Sequence, residues 1–151
     1  MWGIVGGNAA MLGGQYECRL DQKGRIAVPA KLRKEFDAGL VLTRGVDKCL
    51  VLYSPTEWQK VAEKHSYSPF SPSKERMLNR LMFANSYELG LDGQGRIQIP
   101  PPLREHAQIT DAVVIIGQNT YAEVWSKEQW DNQKLLIDEQ AWQLAEGIEK
   151  R

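Results

Sequence analysis

Apolar and polar positions alternate along Tyr16-Glu17-Cys18-Arg19-Leu20, the period of a strand with one covered face and one wet face. Ile26-Ala27-Val28 predicts a second short strand. Between them Asp21-Gln22-Lys23-Gly24 has the chemistry of a turn, with Gly24 able to take positive φ. Pro29 ends the strand and presets φ for a short helix, where Leu32 and Phe36, four apart, share one face. Gly39 predicts its stop. Two more strands follow at 40–43 and 49–53, joined by Gly45-Val46-Asp47-Lys48. Ser54-Pro55-Thr56-Glu57 is then a capping box, with proline at the first helical position of a helix that carries Trp58.

The whole pattern returns seventy-one residues later. YECRLDQKGRIAVPAKLRKEF (16–36) lies over YELGLDGQGRIQIPPPLREHA (87–107) with ten identities in twenty-one positions and no gap. One inserted residue later VLTRG (41–45) is set over VVIIG (113–117), and LYSPTEW (52–58) over VWSKEQW (124–130). This is an internal duplication, with a period too long and a copy number too low for a solenoid. Ser126-Lys127-Glu128-Gln129 repeats the capping box, and Trp130 falls where Trp58 does; both tryptophans are expected as core anchors. Between the copies, residues 65–72 have loop composition. Residues 75–84 have helical spacing, with Met77, Leu78, Leu81 and Met82 on an apolar face. The tail, with Leu135, Leu136, Trp142, Leu144 and Ile148, predicts an amphipathic helix.

Each copy reads as a β-α-β-β-α unit opened by two short strands. At roughly 50 residues such a unit is near the size where a lone core becomes marginal, so the copies are expected to share a core. The fold class is therefore α+β: two tandem units packed about a pseudo-two-fold axis, with a helical linker and a C-terminal helix. The expected divisions are a flexible extension at 1–10, a first repeat at 11–64, a loop and linking helix at 65–85, and a second repeat with its helix at 86–151.

Composition narrows the function classes. The 151 residues are 42% hydrophobic and 25% charged, the balance of a soluble globular chain. Apolar runs such as VVII are too short to span a membrane. MWGIVGGNAA lacks the basic start and long apolar core of a signal peptide, and Met11 is an alternative start. Cys18 and Cys49, without CxxC spacing, read as two reduced thiols of a cytoplasmic protein. Catalysis has little to work with. His65 and His106 are the only histidines, neither stands in a nucleophile or metal spacing, and no Walker, HExxH, GxSxG or Rossmann fingerprint occurs. No enzyme activity, catalytic residue, metal or cofactor is expected.

Net charge is zero, which counts against a nucleic-acid binder, yet the charge is unevenly spread. Residues 1–80 hold thirteen Lys/Arg and eight Asp/Glu, a balance of +5; residues 81–151 hold six and eleven, a balance of −5. Such asymmetry suits a polyanion-facing side or a head-to-tail contact between copies. The repeated Asp-x-x-x-Arg sits at the centre of this question. Asp21 and Asp92, with Gly24 and Gly95, form the turn motif, while Arg25 and Arg96 either brace it or face a ligand. Arg19, Lys23, Arg25, Lys31, Arg33 and Lys34 surround the first turn, whereas only Arg96 and Arg104 attend the second. On counterion release the first copy is then the stronger DNA face, and Arg25→Ala is expected to weaken binding more than Arg96→Ala.

The duplicated D-x-x-G-R-I-x-[VI]-P followed by L-R resembles the MraZ family of bacteria, over nearly the whole chain from Met11 onward. That family is a tandem duplication of the SpoVT/AbrB-like swapped-hairpin fold. The resemblance implies a sequence-specific DNA-binding transcriptional regulator, a repressor of the division and cell-wall gene cluster. It also implies a homo-oligomeric ring on direct repeats of double-stranded DNA upstream of its own operon, and a cytoplasmic, nucleoid-associated location. The DNA-binding residues expected are Arg25, Lys23, Arg19, Arg33, Lys34 and Arg96. The competing reading is a ring-forming protein-interaction or antitoxin-like module with no physiological DNA target.

Overall fold

In the computed structural model, which describes residues 11–149, the first copy supplies strands β1 (Gln15–Arg19), β2 (Arg25–Ala27), β3 (Leu40–Arg44) and β4 (Leu50–Tyr53). The second supplies β5 (Tyr87–Leu89), β6 (Arg96–Gln98), β7 (Ala112–Gly117) and β8 (Ala122–Ser126). Helices α1 (Ala30–Arg33), α2 (Pro55–Lys64), α3 (Ser73–Phe83), α4 (Pro101–Ala107) and α5 (Lys127–Glu149) follow in chain order. The expected extension at 1–10 lies outside the described residues.

The strands are exchanged between copies. A six-stranded antiparallel sheet runs β1-β7-β8-β4-β3-β5, and a separate ribbon pairs β2 with β6. Thus β1 of the first copy pairs with β7 of the second, and β5 of the second pairs with β3 of the first. Replacing every strand by its counterpart reverses the order and reproduces it, which is the pseudo-two-fold axis. Neither copy can form this sheet alone, so the α+β fold is a single unit built from two interlocked halves.

The core shows why duplication preserves its apolar positions. Ile26, Val28 and Leu32 of the first copy and Ile97, Ile99 and Leu103 of the second are all buried in one cluster. Ile26 and Ile97 face each other across the ribbon and are each 1% exposed. Truncating one to alanine is expected to cost about 2–5 kcal/mol, the transfer term plus the cavity.

One register differs from the sequence alignment. Leu42 pairs with Leu52, and its counterpart is Ile115, which pairs with Val124. LVLTR (40–44) therefore lies over VVIIG (113–117), so two residues are inserted before this strand, not one. A one-residue slip exchanges the two faces of a strand, and burial fixes the choice: Leu40 and Leu42 enter the same cluster as Val113 and Ile115. The cause lies in the preceding helix. In the first copy α1 tightens into a 3-10 turn, Lys34–Phe36, and stops near Gly39 at φ +114. In the second, α4 stays α-helical to Ala107 and ends on Gln108 in the left-handed region.

The helix starts follow expectation. Ser54 Oγ accepts from the Glu57 N–H at 3.3 Å, and Ser126 Oγ from the Gln129 N–H at 3.2 Å. Trp130 is buried beside Trp125, their ring centroids 5.8 Å apart. Trp58 is only half-buried, between Tyr53 and Phe83. Both cysteines are free. Burial raises the Cys18 thiol to about 11, so it is not a thiolate at neutral pH.

Candidate functional site

The two Asp-x-x-x-Arg turns form the same structure twice. Asp21 Oδ1 accepts the N–H groups of Lys23 and Arg25, each at 2.9 Å, while its Oδ2 accepts Arg25 Nε at 2.7 Å. Asp92 repeats this with the N–H groups of Gln94 and Arg96 at 2.9 Å and Arg96 Nε at 2.8 Å. Backbone bonds from Gly24 N–H to Asp21 O and from Gly95 N–H to Asp92 O close the turns. The carboxylates are consequently easy to ionise. The Arg96 N–H, then the Gln94 N–H and the Arg96 guanidinium, outweigh partial desolvation and bring Asp92 down to about 2. Asp21 is lowered in the same way, first by the Arg25 N–H.

Both arginines are therefore turned back on their own aspartates. The side chains of Arg25 and Arg96 are 25% and 27% exposed. Arg25 Nη1 also comes within 4.0 Å of Asp92 Oδ2, so the two turns meet at the ribbon. Across that ribbon Arg25 stands opposite Gln98, and Ala27 opposite Arg96. The alternation that buries Ile26 and Ile97 sends these four outward. Gln98 Nε2 further donates to Lys23 O at 3.1 Å, and Val28 N–H and Ile99 N–H bond to Gly95 O and Gly24 O of the opposite turns.

Chain exchange redistributes the charges that surround the turns. Arg33 of α1 lies not over its own turn but against Gly95 of the other copy, its Nε donating to Val28 O at 2.7 Å. Arg104 of α4 lies correspondingly over Gly24, where an added Cβ would meet its Nη1 at 2.9 Å. The two glycines are required twice, by φ of +77 and +75 and by the arginine covering each. Turn 1 (21–25) thus combines Lys23 and Arg25 with Arg104, and turn 2 (92–96) combines Arg96 with Arg33. The basic surplus assigned to the first copy is divided between both turns. These clasps were hidden in the sequence because L-R follows each turn at the same spacing, with no sign of exchange.

The remaining sequence candidates lie outside the paired strands of this ribbon. Lys31 and Lys34 are exposed on and beside α1. Arg19, on β1, pairs with Asp111 of the second copy at 3.1 Å, with both side chains largely exposed. His106, unused by any catalytic grouping, places Nε2 2.9 Å from Asp47 O and joins α4 to the β3–β4 turn. Among the described residues no group of His, Cys, Asp and Glu could hold a metal ion. No helix among them is long and apolar enough to cross a membrane.

Comparison with known proteins places this arrangement. The MraZ family model, which carries an antitoxin-like label, matches the chain twice, at residues 11–81 and 82–143. A transcriptional regulator MraZ of Dehalococcoides mccartyi is 40% identical over 141 residues, covering 93% of this chain and 99% of that protein. The transcriptional regulator MraZ of Herpetosiphon aurantiacus is 44% identical over 135 residues, 89% of this chain and 94% of its own. That of Caldanaerobacter subterraneus is 42% identical over 139 residues, 92% and 97% of the two chains. With two exchanged copies, two matched segments and relatives of nearly the same length, the chain belongs to the MraZ family of transcriptional regulators.

Proposed function

We propose that this regulator binds double-stranded DNA through the β2–β6 ribbon and the two turns that flank it. The observation that carries the reading is the meeting of the turns: exchange sets Arg25, Arg96, Lys23, Arg33 and Arg104 around one ribbon. The aspartates hold Nε of Arg25 and Arg96, leaving Nη groups of a rigid fork for phosphate or guanine, with Arg25 Nη1 also 4.0 Å from Asp92 Oδ2. Such a preset guanidinium loses less conformational freedom on binding than a free one. Lys23 and Lys34 supply mobile charge to phosphates, and Arg19 does so less because Asp111 offsets it.

The function is repression of the division and cell-wall gene cluster from direct repeats upstream of its own operon, by a ring of copies in the cytoplasm at the nucleoid. A ring answers the zero net charge, because several weak contacts act together through effective concentration.

A second reading rests on the same pinned arginines. If the Asp–Arg pairs serve only as braces, the protein is an interaction or antitoxin-like module without a DNA target. A mobility shift with the DNA upstream of the gene, titrated with salt, separates the two. Sequence-selective binding that weakens steeply with salt supports regulation by contact; salt-indifferent or unselective binding supports the module.

A further inference from the structure

Helix α5 runs 23 residues, about 34 Å, and among the described residues its buried side chain is Trp130, near its start. Beyond it Leu135, Leu136, Ile137, Trp142, Leu144 and Ile148 are exposed, Trp142 at 68%. The counterpart helix α2 is 10 residues long, so this bare length belongs to the second copy alone. Exposed apolar runs of this extent mark an interaction surface.

The charge pattern says what covers it. Residues 135–149 hold four acids, Asp138, Glu139, Glu146 and Glu149, and no Lys or Arg. The two acids beside Trp142, Asp138 and Glu139, suit a basic partner face. Helix α3 has the opposite character, with Lys74, Arg76 and Arg80 against Glu75. On α5, Trp142 has Asp138 and Glu139 at i−4 and i−3; on α3, the 61%-exposed Met77 has Lys74 and Arg80 at i−3 and i+3. Each is an apolar knob flanked by charge, of opposite sign. Beside Met77, exposed Leu81 leads into an apolar groove of about 240 Å³ between α2 and α3, lined by Val51, Trp58, Val61, Leu78 and Met82.

We propose that the distal half of α5 docks along α3, in the α2–α3 groove of a second copy, as a heterologous contact. Trp142 fills the groove mouth, and Asp138 and Glu139 face Lys74 and Arg80. This deepens the ring reading by naming its interface, and it rests on that reading only for closure. A heterologous contact propagates, and it ends in a ring if the rotation closes and in a filament if it does not.

Two charge reversals test it on the full chain. Asp138→Lys with Glu139→Lys alters the helix, and Lys74→Glu with Arg80→Glu alters the groove; all four residues are outside the DNA ribbon. Each variant alone should lose most of its assembled mass in sedimentation equilibrium, association falling at least tenfold. Mixing the two should restore the mass, because every contact then pairs opposite charges. Loss without restoration, or mass unchanged in either variant, overturns the proposal. Loss from the helix reversal alone overturns it in favour of α5 meeting α5. A monomeric wild-type chain overturns it in favour of a different partner. Binding of each variant to a single DNA box is measured alongside, so that failure of the DNA reading appears separately from failure of the interface.

Discussion

Turn 1 and turn 2 have the same internal hydrogen bonds and exchanged surroundings, each covered by an arginine of the other copy. Along the chain, turn 1 has six basic residues near it and turn 2 has two. In space, Arg33 leaves the first group to cover Gly95, and Arg104 leaves the second to cover Gly24. Sequence neighbours are a poor guide to electrostatic neighbours when a fold exchanges its strands. The turns are closer to equal partners than their local sequences indicate.

The tightest difference left between them is how each glycine is covered. At Gly95 a Cβ would overlap Nε and Cδ of Arg33, a stem fixed by its bond to Val28 O. At Gly24 it would meet the far end of Arg104, which can swing aside. Alanine at either site adopts a positive φ, at about 1–3 kcal/mol. Gly95→Ala should stand at or above the top of that range and Gly24→Ala lower, measured by urea unfolding. Equal costs would show that backbone strain alone decides, and that the arginine clasps are incidental.

The clasps themselves supply the next comparison. Arg33 Nε is satisfied, whereas Arg104 Nε is buried with no hydrogen-bond partner among the described residues. Arg33→Met keeps the packed stem but removes a charged donor from a carbonyl, a loss of about 1.5–3 kcal/mol. Arg104→Met removes an unsatisfied group and should cost less than half as much. The reverse order would mean that the pseudo-symmetry hides a bond made by Arg104 in solution.

Acid provides a smaller effect. Asp92, at about 2, lies below the ordinary aspartate value of about 3.9. Its stabilisation is complete above that ordinary value and fades as pH falls toward the folded one, because the unfolded chain takes up the proton first. Asp92→Asn removes this contribution, so the thermal midpoint of the wild type should fall more steeply through that window than the variant's. Parallel curves would show that the turn does not depend on a charged carboxylate.

Local structure was largely legible, because turn chemistry, proline, capping serines and alternation act within a few residues. The paired helix caps and the two turns followed from that. The exchange of β1 and β5 did not, since alternation names the buried face of a strand and never its partner. It entered only through family resemblance. The insertion before β7 is one residue longer than sequence alignment gives, because VLTRG and VVIIG share a glycine while burial of Leu42 and Ile115 sets the register. The bare length of α5 was visible as apolar positions, but its exposure depends on where the rod leaves the body. At the site, the residues were legible and their grouping was not.

Whether both turns form one DNA-binding face is decided by DNA affinity. The most direct test is the affinity of Arg25→Ala and Arg96→Ala, each confirmed as folded, for DNA from upstream of the gene across a salt series. One shared face predicts similar losses of about 1–3 kcal/mol, with each salt slope lower by about 1 where the arginine contacts phosphate. A large loss from Arg25→Ala beside none from Arg96→Ala would restore the first copy as sole reader and contradict the shared face.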